Sequence, residues 1–383
     1  MKSHASVVII GAGISGASIA YHLAQKGMTD IVVIERSYIG SGATGRCGAG
    51  VRQQWGTELN CRLAKKSIDF YSTMNEALDY PGDIDFKQEG YLVVASTLAE
   101  AEQFKQDAAL QNRCGIPTQH MTPEEALAMV PYLNIKEVSA ANFCPTDGHL
   151  NPFTTLDAFV QAAKRLGVSF HTNTTVTDLK RDALGICSVT TDQGSIATRI
   201  VVNAAGGWTQ AIANMVGVEL PLYSENHEIL VTEQVEPLLK PMVISFSKNI
   251  YCQQTPHGAF LMGRSDPDMS PGESMHSTWG FLEAMAQTVT DLLPPVGQLR
   301  VLRQWGGLYN MSPDHQPIVS AVEDVPGFYV ACGFSGHGFM LAPMTGLLIS
   351  EMILNEPPSL PIEALSLNRF SDPSRIVKEK SVV

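Results

Sequence analysis

The stretch Val7-Val8-Ile9-Ile10-Gly11-Ala12-Gly13-Ile14-Ser15-Gly16 decides how the rest of the chain is read. The four apolar β-branched residues predict a strand, and the glycines follow it at once. From Ala17 the spacing of Ile19, Leu23 and Ala24 predicts a helix that stops at Gly27. A second apolar run, Ile31-Val32-Val33-Ile34, closes on Glu35. In such a unit Gly11 permits the tight turn, Gly13 lets backbone approach a pyrophosphate, and Gly16 lets helix and strand pack closely. Free N–H groups and the dipole at the helix start hold phosphate. Glu35 stands 19 residues after Gly16, close to the roughly 20 expected of an acid that bonds ribose hydroxyls. Strand, glycine turn, helix, strand and acid together predict a dinucleotide site.

A glycine-rich segment comes next. Ser37 to Gly50 holds glycines at 40, 42, 45, 48 and 50, a density that suggests backbone pressed against a ligand rather than a plain connector. Further on, Thr97 with Glu100, and Thr122 with Pro123 and Glu125, form capping-box starts. Thr154 with Asp157 predicts a weaker start for a helix ending at Gly167. Val168 to Asn203 alternates like a small meander of strands at Val168–His171, Val176–Leu179, Ile186–Thr190 and Ile200–Asn203. The last of these runs into Ala204-Ala205-Gly206-Gly207-Trp208, a second glycine turn. Strands are predicted around Glu228–Thr232 and Phe260–Gly263, and a helix over Ser277–Leu293 before Pro294-Pro295. A final strand, Phe328–Cys332, opens through Gly333-Phe334-Ser335-Gly336-His337-Gly338 into a helix reaching about Leu354. From Glu356 on, prolines and charges suggest a tail crossing the surface.

The nucleotide parts lie at both ends and in the middle. That pattern predicts an α/β architecture: a discontinuous Rossmann-like nucleotide-binding domain over 1–80, 150–220 and 300–383. An antiparallel-sheet substrate domain, over 81–149 and 221–299, is inserted into it. Composition excludes several function classes. Apolar residues make up 44% and charged residues 17% of the 383, so a sizeable core is expected. A net charge of −12 and no Lys/Arg block argue against nucleic acid as a partner. No stretch approaches the roughly 18 apolar residues of a membrane span, and a core strand by Val7 leaves no room for a signal peptide. Seven scattered cysteines without a C-x-x-C pair fit reduced thiols in the cytoplasm and offer no metal site.

Five segments in order carry a resemblance. They are Gly40-Ser-Gly-Ala-Thr-Gly-Arg46, Gly50-Val51-Arg52, Asn203-Ala-Ala-Gly-Gly-Trp208, Trp305-Gly-Gly-Leu-Tyr-Asn-Met-Ser-Pro-Asp314 and Gly333-Phe-Ser-Gly-His-Gly-Phe339. With the opening motif, the chain resembles the D-amino-acid-oxidase-like FAD enzymes over nearly its whole length. It looks most like the flavoprotein subunits of sarcosine oxidase (beta), dye-linked L-proline dehydrogenase and hydrogen cyanide synthase. The resemblance implies non-covalent FAD. It places the ADP half on Gly11, Gly13, Ile14, Ser15, Gly16, Glu35 and Arg36. The pyrophosphate and ring edge would lie along Ser41, Gly42, Ala43, Thr44, Arg46, Gly50 and Val51. Val176, Ala205 and Gly206 would border the adenine, and Gly336, His337, Gly338, Phe339 and Met340 would face the pyrimidine edge. A helix N-terminus there favours a reduced, negatively charged flavin.

For catalysis the resemblance nominates Arg52, whose fork suits a substrate carboxylate; a structural ion-pair role competes with it. Tyr251 is a candidate to close over substrate, or else a half-buried strand aromatic. His337 faces the flavin or is a structural histidine. Tyr91, Trp305 and Tyr309 fit core packing as well as a pocket wall. Two departures stand out: Tyr309 replaces the carboxylate-binding arginine of glycine oxidases, and Pro152 and Thr154 stand near the histidine that links FMN in sarcosine oxidase. Covalent FMN is therefore not expected, while FMN held at a subunit interface stays open. The implied activity is oxidation of a small amino acid or secondary amine by hydride transfer from the α-carbon to flavin N5. A second flavoprotein subunit would take the electrons, since Leu261 and Met262 stand where some oxidases have a lysine. A self-sufficient peroxide-forming oxidase and a non-catalytic flavin subunit are the alternatives.

Overall fold

The computed structural model describes residues 2–266 and 270–381. Strand β1 (Val7–Ile10), helix α1 (Ile14–Gln25) and strand β2 (Ile31–Ile34) form as the opening motif predicts. Around them lies a six-stranded sheet in the order Ile318–Ala321, Phe328–Cys332, Val201–Asn203, β1, β2, Ser169–His171. Its pairs are parallel except the one between Ile318–Ala321 and Phe328–Cys332. The apolar run of each central strand is divided between two cores. Val7, Ile9, Ile31, Val33 and Val202 face the helical layer. Val8, Ile10, Val32, Ile34 and Val201 face a three-stranded meander of Val176–Asp182, Gly185–Thr191 and Gly194–Ala197. Both faces are covered, so the strands read as continuous hydrophobics rather than alternating ones.

The second large layer is an eight-stranded sheet. Its order is Val301–Met311, Tyr223–Gln234, Ala259–Ser265, Ile250–Gln254, Met242–Ser245, Tyr91–Ala95, Ala140–Cys144, Gln119–Met121. All its pairings are antiparallel except that of Met242–Ser245 with Tyr91–Ala95. The alternation again splits the strand at 91–95: Leu92 and Val94 enter a core with the helix Trp279–Leu292. Tyr91, Val93 and Ala95 share the opposite face with Met242, Ile244 and Tyr251. That face turns toward the glycine loops of the first sheet. The strand Val301–Met311, on the nucleotide side of the expected boundary at 300, pairs along Tyr223–Gln234 in this second sheet.

Local starts follow the predicted chemistry in two cases and depart from it in one. Both capping boxes form, Thr97 with Glu100 and Thr122 with Glu125. The helix Pro152–Arg165 is capped by Asn151, whose side chain accepts from the Phe153 and Thr154 N–H groups, not by Thr154. Pro152 at the first helical position makes Asn151 the capping residue. The expected four-strand meander is also corrected. Ser169–His171 and Val201–Asn203 pair with β2 and β1 in the parallel sheet, leaving two of the expected strands to the meander, whose third, Gly194–Ala197, was not expected.

The largest departure is the tail. After the long helix Gly338–Ile353 the chain makes three short 3₁₀ turns and then runs inward. Arg369 and Asp314, each 1% exposed, form a two-pronged ion pair at 2.7 and 2.9 Å. Glu379 is fully buried. Among the described residues no helix is long and apolar enough to cross a membrane.

Candidate active site

One elongated cavity runs between the two sheets. Its first part is made almost wholly of backbone. Gly11 takes φ +105°, and a side chain there would meet the Ala204 carbonyl oxygen at 2.4 Å. Gly13, the N-cap of α1, brings no side-chain cap, and the first turn carries no acid. Apart from the Ile14 N–H, which the Thr44 hydroxyl takes, the helix start therefore offers N–H donors and the positive end of its dipole to the cavity. Glu35 ends β2 with its carboxylate held by the N–H groups of Ala12 (3.0 Å) and Ser37 (2.9 Å) and by the Ser41 hydroxyl. Arg36 stacks on the Trp208 ring at 3.6 Å, and the indole donates to Glu273 at 2.9 Å.

The structure brings most of the sequence-predicted residues to this cavity. Gly11, Gly13, Ile14, Ser15, Glu35 and Arg36 line one part, with Val176, Ala205 and Gly206 across from them. Ser41, Gly42, Ala43, Thr44, Arg46 and Gly50 form the middle. The hydroxyl of Thr44 accepts from the Ile14 N–H at 3.0 Å, and Arg46 donates to the Gly306 carbonyl at 3.2 Å, so the glycine loop is tied to both sheets. Gly336, His337, Gly338, Phe339 and Met340 bring a second uncapped helix start to the same cavity. Two expected lining residues lie behind the wall instead. Gly16 packs against Gly11, where a side chain would strike the Gly11 carbonyl oxygen. Val51 is fully buried and paired with Gly148, because strand alternation turns it away from its cavity-facing neighbour Gly50.

The rest of the cavity is built from side chains. Arg52 lines it although only 2% of the residue is exposed. Its guanidinium donates to the backbone carbonyls of Gln54 (2.5 Å) and Ser381 and stacks over Trp55 at 4.1 Å. Burial works against its charge, and Glu379 is the strongest of the groups that favour it. The expected structural alternative, a carboxylate ion pair, is not what holds it. His337 packs edge-on against Trp55, ring centres 4.3 Å apart, and burial with the Arg52 charge keeps its pKa well below the usual value.

Tyr251 joins an aromatic stack that the sequence did not reveal. The His227 ring lies parallel to Tyr309 at 4.2 Å and to Tyr251 at 5.6 Å. These three residues come from different strands, and Gly263 on the intervening strand leaves room for the Tyr251 ring to reach across. A side chain at Gly263 would come within 2.2 Å of that ring. Nδ1 of His227 bonds the Ser265 hydroxyl at 3.0 Å, while Nε2 is buried with no partner. Burial lowers the His227 pKa to about 3, so the imidazole is neutral at ordinary pH. His227 was missed because a lone histidine in an apolar strand carries no motif. Only its inward register, shared with Ile229, would have marked it.

A phosphate-binding helix start, a ribose-type acid and a second helix start on one cavity define a dinucleotide-dependent oxidoreductase of the flavin type. The donor set fits FAD: the N–H groups at the start of α1 would suit its pyrophosphate, and those at the start of the helix Gly338–Ile353 would suit the charge its ring takes up on reduction. The chain belongs to the family described as FAD dependent oxidoreductase (DAO), whose model matches residues 6–352. It is 28% identical over 375 residues to "Sarcosine oxidase subunit beta" of Arthrobacter sp, covering 96% of this chain and 92% of that one. Among solved structures it resembles L-proline dehydrogenase from P. horikoshii with a TM-score of 0.92 and 37% identity, over 97% and 99% of the two chains. Glycine oxidase from Geobacillus kaustophilus follows with a TM-score of 0.87 and 25% identity, over 96% and 99%. The chain is thus an FAD-dependent oxidoreductase, with amine- and amino-acid-oxidising enzymes as its relatives.

Proposed function

We propose that this protein oxidises a small amino acid or secondary amine of the sarcosine, proline or glycine kind, and does so as the flavoprotein subunit of a larger complex. The observation that carries the reading is the presence of Arg52 and a neutral His227 on the wall of one cavity. Arg52 uses two N–H groups on backbone carbonyls, and a guanidinium has five. The remaining donors suit a substrate carboxylate. The unpartnered Nε2 of His227 suits the substrate nitrogen, and Tyr251 and Tyr309 fix the plane of that imidazole.

In this reading Gly11, Gly13, Ser15, Glu35 and Arg36 hold the nucleotide half of FAD. Ser41 to Arg46 follow the pyrophosphate, and Gly336 to Met340 meet the ring's pyrimidine edge. FAD, when bound, supplies the two-electron acceptor for the C–H bond next to the substrate nitrogen. The protein's own work is to orient that bond, hold the carboxylate and exclude water. No carboxylate of the chain is needed as a base, because a buried site beside Arg52 favours the amine in its neutral form. The subunit names of the sarcosine oxidase relatives support transfer to a partner; Met262 packs into the core with the helix Trp279–Leu292, on the far face of its sheet from the cavity, and bears on neither acceptor. FMN at that interface is part of the same proposal.

Anaerobic titration of the purified yellow protein with a panel of amino acids and N-methylamino acids tests this. Bleaching of the flavin by one of these compounds is expected, with dye reduced much faster than oxygen. A flavin that no member of the panel reduces would end the amino-acid reading. Peroxide formed at the rate of dye reduction would replace the partner by oxygen.

A further inference from the structure

Arg52 is held by a part of the chain 329 residues away. The anchoring begins with the buried Arg369–Asp314 pair, which fixes the turn after Val301–Met311. From that turn the Gln316 side chain donates to the Val377 carbonyl at 3.1 Å, and the Asp314 carbonyl accepts from the Glu379 N–H at 2.9 Å. The fully buried Glu379 carboxylate then reaches the start of helix α2 (Glu58–Ala77). It accepts from the Gly56 N–H (3.3 Å), the Thr57 hydroxyl (3.1 Å) and the Asn60 amide (2.9 Å). Thr57, the N-cap residue of that helix, makes no side-chain cap of its own, so Glu379 supplies the negative group the helix start favours. It also accepts from the Ser381 N–H at 3.0 Å, and the Ser381 carbonyl accepts from Arg52.

We infer that residues 377–381 form a strap that positions Arg52 for a substrate carboxylate, so that strap docking and carboxylate binding reinforce each other. The inference rests on the amino-acid reading above. Two carbonyls, Gln54 and Ser381, each take one terminal nitrogen and fix the guanidinium over Trp55, and Arg52 lines the cavity with N–H groups to spare. With the strap undocked, one of those two fixed points and the Glu379 carboxylate, which favours the Arg52 charge, are lost together. Lys378 and Lys380 remain exposed on either side of Glu379, which gives the strap a protease-sensitive marker.

The test uses the FAD-loaded protein, the Glu379→Gln variant and a chain ending at Val377. Pyrrole-2-carboxylate, a flat carboxylate that cannot be oxidised as an amine, is titrated by its perturbation of the flavin spectrum, with pyrrole as the control lacking the carboxylate. Wild-type FAD content is expected in both variants, with about a tenfold weaker carboxylate affinity and unchanged response to pyrrole. In the wild type, pyrrole-2-carboxylate should slow trypsin cleavage at Lys378 and Lys380, because the coupling is reciprocal. Equal loss for both ligands, or none for either, in Glu379→Gln overturns the strap. Should the shortened chain not retain FAD, Glu379→Gln and the trypsin protection decide. A wild type that ignores both the carboxylate and the amino-acid panel defeats the functional reading instead, and that failure appears before any variant is made.

Discussion

The two halves of the cavity are built by opposite means. The nucleotide half is short-range in sequence: β1, α1, β2 and the glycine loop, all within the first 50 residues, supply most of it, and they do so with backbone. The half that we propose for substrate takes Arg52, Tyr91, His227, Tyr251, Tyr309 and His337 from six separate segments and uses their side chains. The difference is one of what each must recognise. A pyrophosphate is met by any correctly curved backbone with free N–H groups, so glycines and a helix start suffice. A small substrate offers only a carboxylate, a nitrogen and a C–H bond, and those are told apart by side-chain groups held at fixed positions.

The comparison predicts that damage in the first half removes the cofactor and damage in the second half spares it. Gly11→Val should have the largest effect, since it combines φ +105° with a contact 2.4 Å from a backbone carbonyl. No flavin should co-purify with it; a yellow variant with normal FAD content would break the contrast. Arg52→Ala should keep full FAD absorbance and lose about 10- to 150-fold in kcat/KM for a carboxylate-bearing substrate, the worth of a charge-assisted pair. Steady-state kinetics with an artificial acceptor measures it, and unaltered values would move carboxylate binding elsewhere.

Gly263→Ala sharpens the contrast, because here a glycine serves the substrate half. The added carbon would push Tyr251 off His227, and a displacement near 1 Å costs up to about 100-fold in turnover. Flavin content should not change. The effect furthest from the chemistry, on stability alone, concerns Asp147, fully buried and bonded to the Gln53 N–H and the Gln54 amide beside Arg52. Burial raises its pKa to about 6, above the ordinary carboxylate value. The native state therefore binds this proton more tightly than the unfolded chain does. Its stabilising contribution is full below about pH 4 and is lost as pH rises through 6, worth up to about 3 kcal/mol. The Tm of wild type relative to Asp147→Asn should fall across that window, and a flat difference would show that the carboxylate's partners hold it ionised.

Legibility in the sequence follows the same division. The opening motif, both capping boxes, the glycine loop and the last strand–turn–helix were readable because each is decided by residues within one or two turns of one another. Twenty of the 22 cofactor residues named from sequence line the cavity; Gly16 and Val51 do not, since packing and strand alternation turn them away. Arg52, Tyr251 and His337, named from sequence, line the same cavity, but the contacts that hold each of them were not legible.

What the sequence by itself determined is the nucleotide-binding framework, because turn chemistry, helix starts and apolar strands are local physics. Only the tertiary structure decided that His227 stacks between Tyr309 and Tyr251, that Gly263 makes room for it, and that a tail read as surface returns to cap α2 and hold Arg52. Those contacts join residues between 12 and 329 positions apart. They depend on strand order and on where a buried charge finds its carbonyls, and no local pattern encodes either.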